Sequence, residues 1–545
     1  MSSANRRSSR VRPLPLSGLL RLGRPSDIWF KPALSVVAGV APPNLTLLAL
    51  GRLDLAAYTM AGSLCALYAH NRPYSARAGI LIRVVLAMVS GLAVSLVAAS
   101  LTTNPVVLVT VGALLAAVHK ALCDATRLGP PGNVIFTFVT SAALFVPQSL
   151  GQVPGHVALA AAAGAWSWIV GMAPGLLRPH GPERRATAHA LSAAAAFAAT
   201  GETAARAGAA AAVHTAWQSL LSTGARSAPR RALERLLVRA EVALAAPADT
   251  DSERLRAWAR ALRGTGPVPR PDDLGEAADE LLGVELELDS PPRPLHHRLA
   301  PLAPLVLRTA LGCALAGYVS LALGVGRPYW ALVTAASIYQ ANVTLTWRRG
   351  IQRVVGNLVG VLLFAAVAPV AHLSQLALVL CGLAFNFGAE ALISRNYWIG
   401  SVCVTPMALL ITEFGHHQEP GALMTDRVVD TLIGALVGFA AAIAVTNRRA
   451  GDRIEDALAA VERTRERAAR VLVADRPEPA DLEGARRALA AAVVDLRAAV
   501  DAASGEWWQR ALPEERVLRA EQDGHRTLAA TVRRQGLHTS EGVRA

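Results

Sequence analysis

The chain has 545 residues, 53% of them hydrophobic and 17% charged, with a formal net charge of +14 and a mean hydropathy of +0.35. That apolar share lies well above the range of ordinary soluble domains. The basic balance is dominated by arginine, and because it flanks apolar runs it points to a membrane surface rather than to nucleic acid.

Residues 1–30 form a basic tail. Arg6, Arg7, Arg10, Arg12, Arg21 and Arg24, with Lys31 just beyond, stand against one acid, Asp27. No short apolar core with a small-residue cleavage site follows, so a cleavable signal peptide is not expected. Residues 31–178 then hold six near-uncharged segments, at about 33–50, 55–70, 80–101, 105–121, 132–149 and 156–177. A hydrocarbon core about 30 Å thick requires helices of that length. Pro42-Pro43 in the first segment predicts a break or kink, whose freed backbone groups neighbouring protein or water must satisfy.

A polar block, 179–300, reads as Ala/Arg/Glu helices interrupted by proline-rich joints at Gly266–Pro271 and Pro291–Pro294. The second membrane block, 301–446, repeats the layout with segments at about 302–325, 329–346, 354–371, 374–392, 397–413 and 425–446. After 447 the chain returns to charged helical stretches, 453–473 and 481–503, separated by Pro477 and Pro479. Apolar residues recur there at helical spacing, which predicts that the polar helices pack together beneath the membrane. A regulatory or partner-binding platform is the functional alternative.

Loop charges give an orientation. Alternate turns carry Arg72 and Arg77, Lys120 and Arg127, Arg348 and Arg349, then Arg395. The opposite loops at 102–104, 151–156 and 371–374 carry no Lys or Arg; Arg52 and Arg327 are the exceptions. The positive-inside rule then places both termini in the cytoplasm of a multi-pass cell-membrane protein. An even number of spans per half makes the two six-helix sets parallel repeats, related by an axis along the membrane normal. Tyr58 and Gly79-Ile80 are spaced like Tyr329 and Gly350-Ile351, and Arg83-Val84-Val85 echoes Arg353-Val354-Val355. The expected fold is therefore an all-α membrane protein of about twelve transmembrane helices.

Charges inside apolar runs are the local pointers, because hydrocarbon penalises them by several kcal/mol. Arg308, Arg353 and Glu390 fall toward the inner side, with Asn386 on the same helix face as Glu390. A cationic inner mouth would concentrate an organic anion; the alternative is snorkelling, which suits Lys31 and Arg83 better. Arg427 and Asp430, three apart near the outer end of the last span, predict an intrahelical ion pair. The sharper reading makes Asp430, like Glu390, a proton-coupling group. Gly356 with Gly360 and Gly434 with Gly438 have the spacing of close helix packing. His416-His417 reads as a solvated pair in the last outer loop, and Cys65, Cys123, Cys313, Cys381 and Cys403 as small buried hydrophobes. No nucleotide loop, nucleophile elbow or zinc spacing occurs, so an enzyme, a cofactor, a metal site and an ATP-driven pump are not expected. A proton gradient, the membrane potential or the substrate gradient is left as the driving force.

One stretch of the second half carries a family pattern. Pro328-Tyr329-Trp330-Ala331-Leu332, followed by Arg348-Arg349-Gly350-Ile351-x-Arg353-x-x-Gly356-x-x-x-Gly360, resembles the fusaric acid resistance family, relatives of bacterial aromatic acid exporters. Leu307-Arg308-Thr309-Ala310-Leu311 upstream, and Asn396-Tyr397, Thr405-Pro406 and Arg427-x-x-Asp430-Thr431-x-x-Gly434 downstream, continue the likeness in order. The first half lacks the Tyr-Trp pair and the Arg-Arg-Gly. The resemblance implies two six-helix modules joined by cytoplasmic helices, exporting aromatic or other organic acids at the expense of the proton gradient. It adds Tyr329 and Trp330 to Arg308, Arg353 and Asn386 as substrate-binding candidates. Implied partners are the lipid bilayer and a small organic anion, with self-association and an accessory protein left open. A distant likeness to plant malate channels keeps a passive anion channel gated by the polar helices as the alternative, with a non-transporting scaffold as the third reading.

Overall fold

The computed structural model of the chain describes residues 14, 16–23, 25, 28–126, 128–222, 227–245, 247–269, 299, 302–340, 342–415, 418–445, 450–475, 477–504 and 513–542. Arg6, Arg7, Arg10, Arg12, Arg24, Asp27, Arg127, Pro271, the joint at 291–294 and His416-His417 lie outside the described residues. Among the described residues the chain is all-helical, without strands. The first half carries α1 (Phe30–Ala49), α2 (Ala56–Ser63, flanked by 3-10 turns at Leu53–Leu55 and Leu64–Leu67), α3 (Tyr74–Leu101), α4 (Pro105–Ala125), α5 (Val134–Ala143), α6 (Val153–Met172) and α7 (Pro174–Leu177). Polar helices follow: α8 (Gly181–Thr200), α9 (Thr203–Leu221), α10 (Ala228–Ala245) and α11 (Ser252–Arg263). The second half holds α12 (Ala303–Ala322), α13 (Pro328–Ile338), α14 (Val343–Ala371), α15 (Gln375–Ile393), α16 (Tyr397–Thr412) and α17 (Pro420–Ala444). The last polar helices are α18 (Ala450–Val473), α19 (Pro479–Ser504) and α20 (Glu514–Gly542).

Eight elements are long and apolar enough to cross a bilayer: α1, α3, α4, α6 with α7, α12, α14, α15 and α17. Their outer surfaces are apolar too. Leu86, Leu362 and Leu436 are 63%, 71% and 70% exposed, an arrangement that water penalises and lipid welcomes.

The second segment of each half and the fifth of the first are shorter than expected, while α16 (Tyr397–Thr412) matches the expected 397–413 to within a residue. All three were expected at membrane length, yet α5 has 10 residues and α13 has 11. At 1.5 Å per residue these reach about 15–16 Å, half of a hydrocarbon core. The reasons are local. Pro147 follows α5 closely, and a proline disfavours helix at and before its position. Beyond α13, the Asn342 side chain accepts a hydrogen bond from Leu345 N at 2.8 Å and so begins a new helix. Residues 343–346, expected at the end of the α13 span, therefore open the 29-residue α14. All eleven residues of α13 are buried, as befits a helix apolar on every side. α1, by contrast, runs unbroken through Pro42 and Pro43. Pro42 has no N–H for the Ala38 carbonyl, and Trp166 Nε1 of α6 donates to that oxygen instead at 2.9 Å.

Packing is reciprocal between the halves. α1 packs on α15, and α12 on α4; α13 meets α5, and α16 meets α2. Inside each half, α2 packs on α6 as α13 does on α17, and α3 on α5 as α14 does on α16. The first two contacts are antiparallel. Trp29 at the start of α1 meets Phe387 near the end of α15, ring centroids 6.5 Å apart. The Thr110 and Tyr318 hydroxyls, at the start of α4 and the end of α12, lie 2.8 Å apart. The polar helices form two apolar cores, one around Leu191, Trp217 and Leu236, the other around Val461, Leu489 and Leu496. α9 packs on α19 and α10 on α20, where Arg486 bridges Glu241 and Glu483. These helices and the N-terminal segment share one face of the apolar bundle. Asn342 Nδ2 donates to Asp501 O at 3.3 Å, and Gln352 Nε2 to Leu19 O at 2.8 Å.

Candidate functional site

Four helices of the second half, α13, α14, α16 and α17, enclose the polar centre of the apolar bundle. Glycines let them approach. A Cβ on Gly356 would lie 2.6 Å from Ser401 Cβ, and one on Gly360 2.7 Å from Thr405 Cβ, so α14 lies directly on α16. On Gly434 it would lie 2.7 Å from Thr334 Cβ, and on Gly438 3.0 Å from Ile338 Cδ1, which seats α17 on α13.

Trp330 stands fully buried between two cations. The guanidinium carbons of Arg427 and Arg327 lie 5.0 and 5.2 Å from its ring centroid, within the range of cation–π attraction. Arg327 is ion-paired to Asp426 at 3.1 Å. Arg427 is 1% exposed, and its Nε and Nη1 have no protein partner. The expected Arg427–Asp430 ion pair is not formed. Asp430 instead accepts a hydrogen bond from Ser320 Oγ of α12 at 2.5 Å, while its second oxygen has no protein partner. Three residues of spacing put the two side chains on neighbouring turns, but the Ser320 hydroxyl across the helix interface draws the carboxylate away. Tyr329 sits beside the same group and stacks on Phe145 of the first half, centroids 5.7 Å apart.

Arg353 completes the cluster from α14. It is 3% exposed, donates from Nη1 to Tyr397 OH at 3.2 Å, and keeps an unpartnered Nε. Arg427 and Arg353 lie within electrostatic reach of each other. Arg349 lies over the Tyr397 ring, 3.2 Å from its centroid. Asn357 is 1% exposed, with neither amide atom partnered by protein, and the same holds for Ser401 Oγ and Trp330 Nε1. A buried polar atom without a partner costs about 1–3 kcal/mol. So many in one place mark a centre that a polar solute can satisfy.

The remaining expected residues lie elsewhere. Arg308 donates from Nε and Nη2 to Val445 O at 3.1 and 2.8 Å, tying the start of α12 to the end of α17. Asn386 turns back on its own helix, donating to Gly382 O at 3.1 Å. Glu390 lies on α15 within electrostatic reach of Tyr68 of the first half, away from the arginine cluster. Sequence reasoning missed Arg349 and Asn357 as members of the group. The signal was present: positions 349, 353 and 357 recur every four residues and so share one helix face. Ser320 had no such signal, because its role depends on how α12 is rotated against α17.

Residues 314–441, which include Trp330, Arg353, Tyr397, Arg427 and Asp430, match the model of a family described as fusaric acid resistance protein-like. The resemblance carried by the sequence motifs therefore holds across this region. An uncharacterized membrane protein of Bacillus subtilis (strain 168), YvaC, is 28% identical over 159 residues, covering 29% of this chain and 25% of that protein. The chain thus spans about a quarter of the length of the curated relative it matches. No solved structure matches the chain. With its apolar helices, the match makes this a multi-pass integral membrane protein.

Proposed function

We propose that this chain, whose second half is fusaric acid resistance protein-like, is a secondary transporter that exports small aromatic carboxylates from the cytoplasm across the cell membrane. One observation carries the reading. Two arginines, Arg427 and Arg353, are buried among apolar helices without a carboxylate ion pair, next to the rings of Trp330 and Tyr397. Buried cations call for an anion, and aromatic walls favour a planar apolar body attached to it. A benzoate-like solute has both parts.

In this reading the twelve apolar helices form two parallel six-helix repeats. The reciprocal contacts support that arrangement, as does the antiparallel meeting of α1 with α15 and of α4 with α12. The half-length helices α5 and α13 lie at the contact between the halves, where transporters place their sites. Both termini and the polar helices are cytoplasmic, in keeping with the basic loops on their side. Asp430 carries the coupled proton: it lies within electrostatic reach of Arg427 and Arg327, so its charge and the substrate's act on the same cations. Glu390, facing Tyr68, stays outside the transport step.

The test is uptake of radiolabelled benzoate into proteoliposomes of the purified chain under an imposed pH gradient. Arg427→Gln and Arg353→Gln are expected to lower the rate at least tenfold. Asp430→Asn should abolish stimulation by the gradient while leaving benzoate exchange, and Glu390→Gln should retain both. Wild-type rates in both arginine variants would overturn the site. Unitary currents of benzoate in planar bilayers would replace the transporter by a channel, and wild-type protein that moves no carboxylate would leave the scaffold.

A further inference from the structure

At the corner where α6 and α7 leave the apolar bundle and α8 begins, two cavities adjoin. The first, about 650 Å³, is apolar and lined by Tyr74, Trp168, Ile169, Met172 and Leu176 on its bundle side. The second, about 730 Å³, is lined by Arg178, Arg184, Arg185 and Arg263, and both share Pro179 and His180. Leu176 and Leu177, on the last turn of the apolar span, are 89% and 87% exposed. An apolar wall at membrane level thus continues directly into a cationic one.

The charge is one-sided. Lys31 lies within electrostatic reach of Arg185, Arg178 and Arg77. Arg77 is 3% exposed; it donates to Tyr68 O at 3.3 Å, its Nη2 lies 3.2 Å from His70 Nδ1, and its Nε has no protein partner. Arg184 spends its donors on the carbonyls of Leu262, Ala261 and Gly264 at the end of α11. The Arg178 backbone bonds to Pro174 and Gly181, while its side chain makes no hydrogen bond or ion pair with a described residue. Among the described residues lining the two cavities the one carboxylate is Glu183, which sits 3.8 Å from His180. Arginines converging beside an apolar cleft match a phosphodiester joined to acyl chains.

We propose that this corner binds an anionic phospholipid. Its phosphate sits among Arg178, Arg185 and Lys31, and its acyl chains lie along Trp168, Ile169, Leu176 and Leu177. The site joins the first membrane helices to the polar helix layer, so an occupied site couples the lipid composition of the leaflet to the position of α8. The inference is independent of what the second half transports.

The experiment is thermal unfolding of the full chain in detergent, with added phosphatidylglycerol, phosphatidylcholine or inorganic phosphate. Phosphatidylglycerol is expected to raise the Tm by several degrees, with the effect weakening as salt rises, while phosphatidylcholine and phosphate leave it unchanged. Arg178→Gln with Arg185→Gln should weaken the phosphatidylglycerol response at least tenfold in midpoint concentration. Arg348→Gln, a basic residue of α14, should not. An equal shift with phosphatidylcholine overturns the proposal, and so does a shift reproduced by phosphate alone, which would mark a soluble-anion site. Should the double variant fail to fold, photoreactive phosphatidylglycerol on the wild-type chain decides. Label within 168–185 supports the site, and label confined elsewhere removes it.

Discussion

Arg427 shows how one side chain can change meaning between sequence and structure. Read along its helix it has Asp430 for a partner; in space its guanidinium lies over Trp330 and Asp430 bonds to Ser320. The energetic consequence is large, since a buried charge without a counter-charge is destabilising by several kcal/mol unless something else neutralises it. A transporter tolerates that cost at its site because the substrate relieves it. Among the polar helices, His525 makes a simpler statement. Burial, with Arg206 nearby, pushes it down to about 4 from 6.5. The unfolded chain therefore binds this proton between pH 6.5 and 4 while the folded chain does not, so stability falls as pH drops through that window. His525→Gln is expected to flatten the slope of unfolding free energy against pH by at most about 1.4 kcal/mol per pH unit. Trp217, which lines the same pocket, gives the fluorescence readout. An unchanged slope would show that His525 is solvated.

At the scale of elements, half-length helices wrapped by full-length ones explain why the polar centre can exist. α13 touches protein on all sides, so its ends release backbone and side-chain groups into the interior rather than into lipid. Its seat against α17 rests on Gly434. Alanine there would press on Thr334 Cβ and the Ala331 carbonyl, both on α13, and overpacking of this kind costs about 1–3 kcal/mol. Gly434→Ala is therefore expected to lower the Tm and to impair benzoate uptake, since Trp330 and Arg427 ride on the two displaced helices. Gly350→Ala is the control, with nothing within 4 Å of its added methyl; it should be neutral or slightly stabilising. Equal effects of the two changes would mean that the α13–α17 contact is soft.

For the whole molecule, the reciprocal contacts tie the two halves into one body, and the polar helices from the middle and the end of the chain close over one face. Orientation can be read chemically. Gly151→Cys and Glu419→Cys, in loops that the proposed topology places outside, should react in intact cells with a membrane-impermeant thiol reagent in a cysteine-free background. Thr265→Cys should react only after permeabilisation. Labelling of all three from outside, or of none, would break the proposed twelve-crossing topology.

The apolar runs, their doubled order, the half of the chain that carries the family motifs and the polar character of the intervening helices were legible in the residues. Length and hydropathy alone decide what lipid tolerates. The helices α5 and α13 were read too long, because Pro147 and the Asn342 cap act on the backbone and leave mean hydropathy almost unchanged. The candidate site was legible only in part. Trp330, Arg353 and Asp430 were singled out, yet nothing along the chain separated them from Arg308, which binds a helix end. Only the tertiary structure decided that Ser320 takes Asp430 from Arg427, and that Arg349, Arg353 and Tyr397 meet. Those outcomes depend on how each helix is rotated about its own axis, and that angle is set by glycine contacts between helices distant in the sequence.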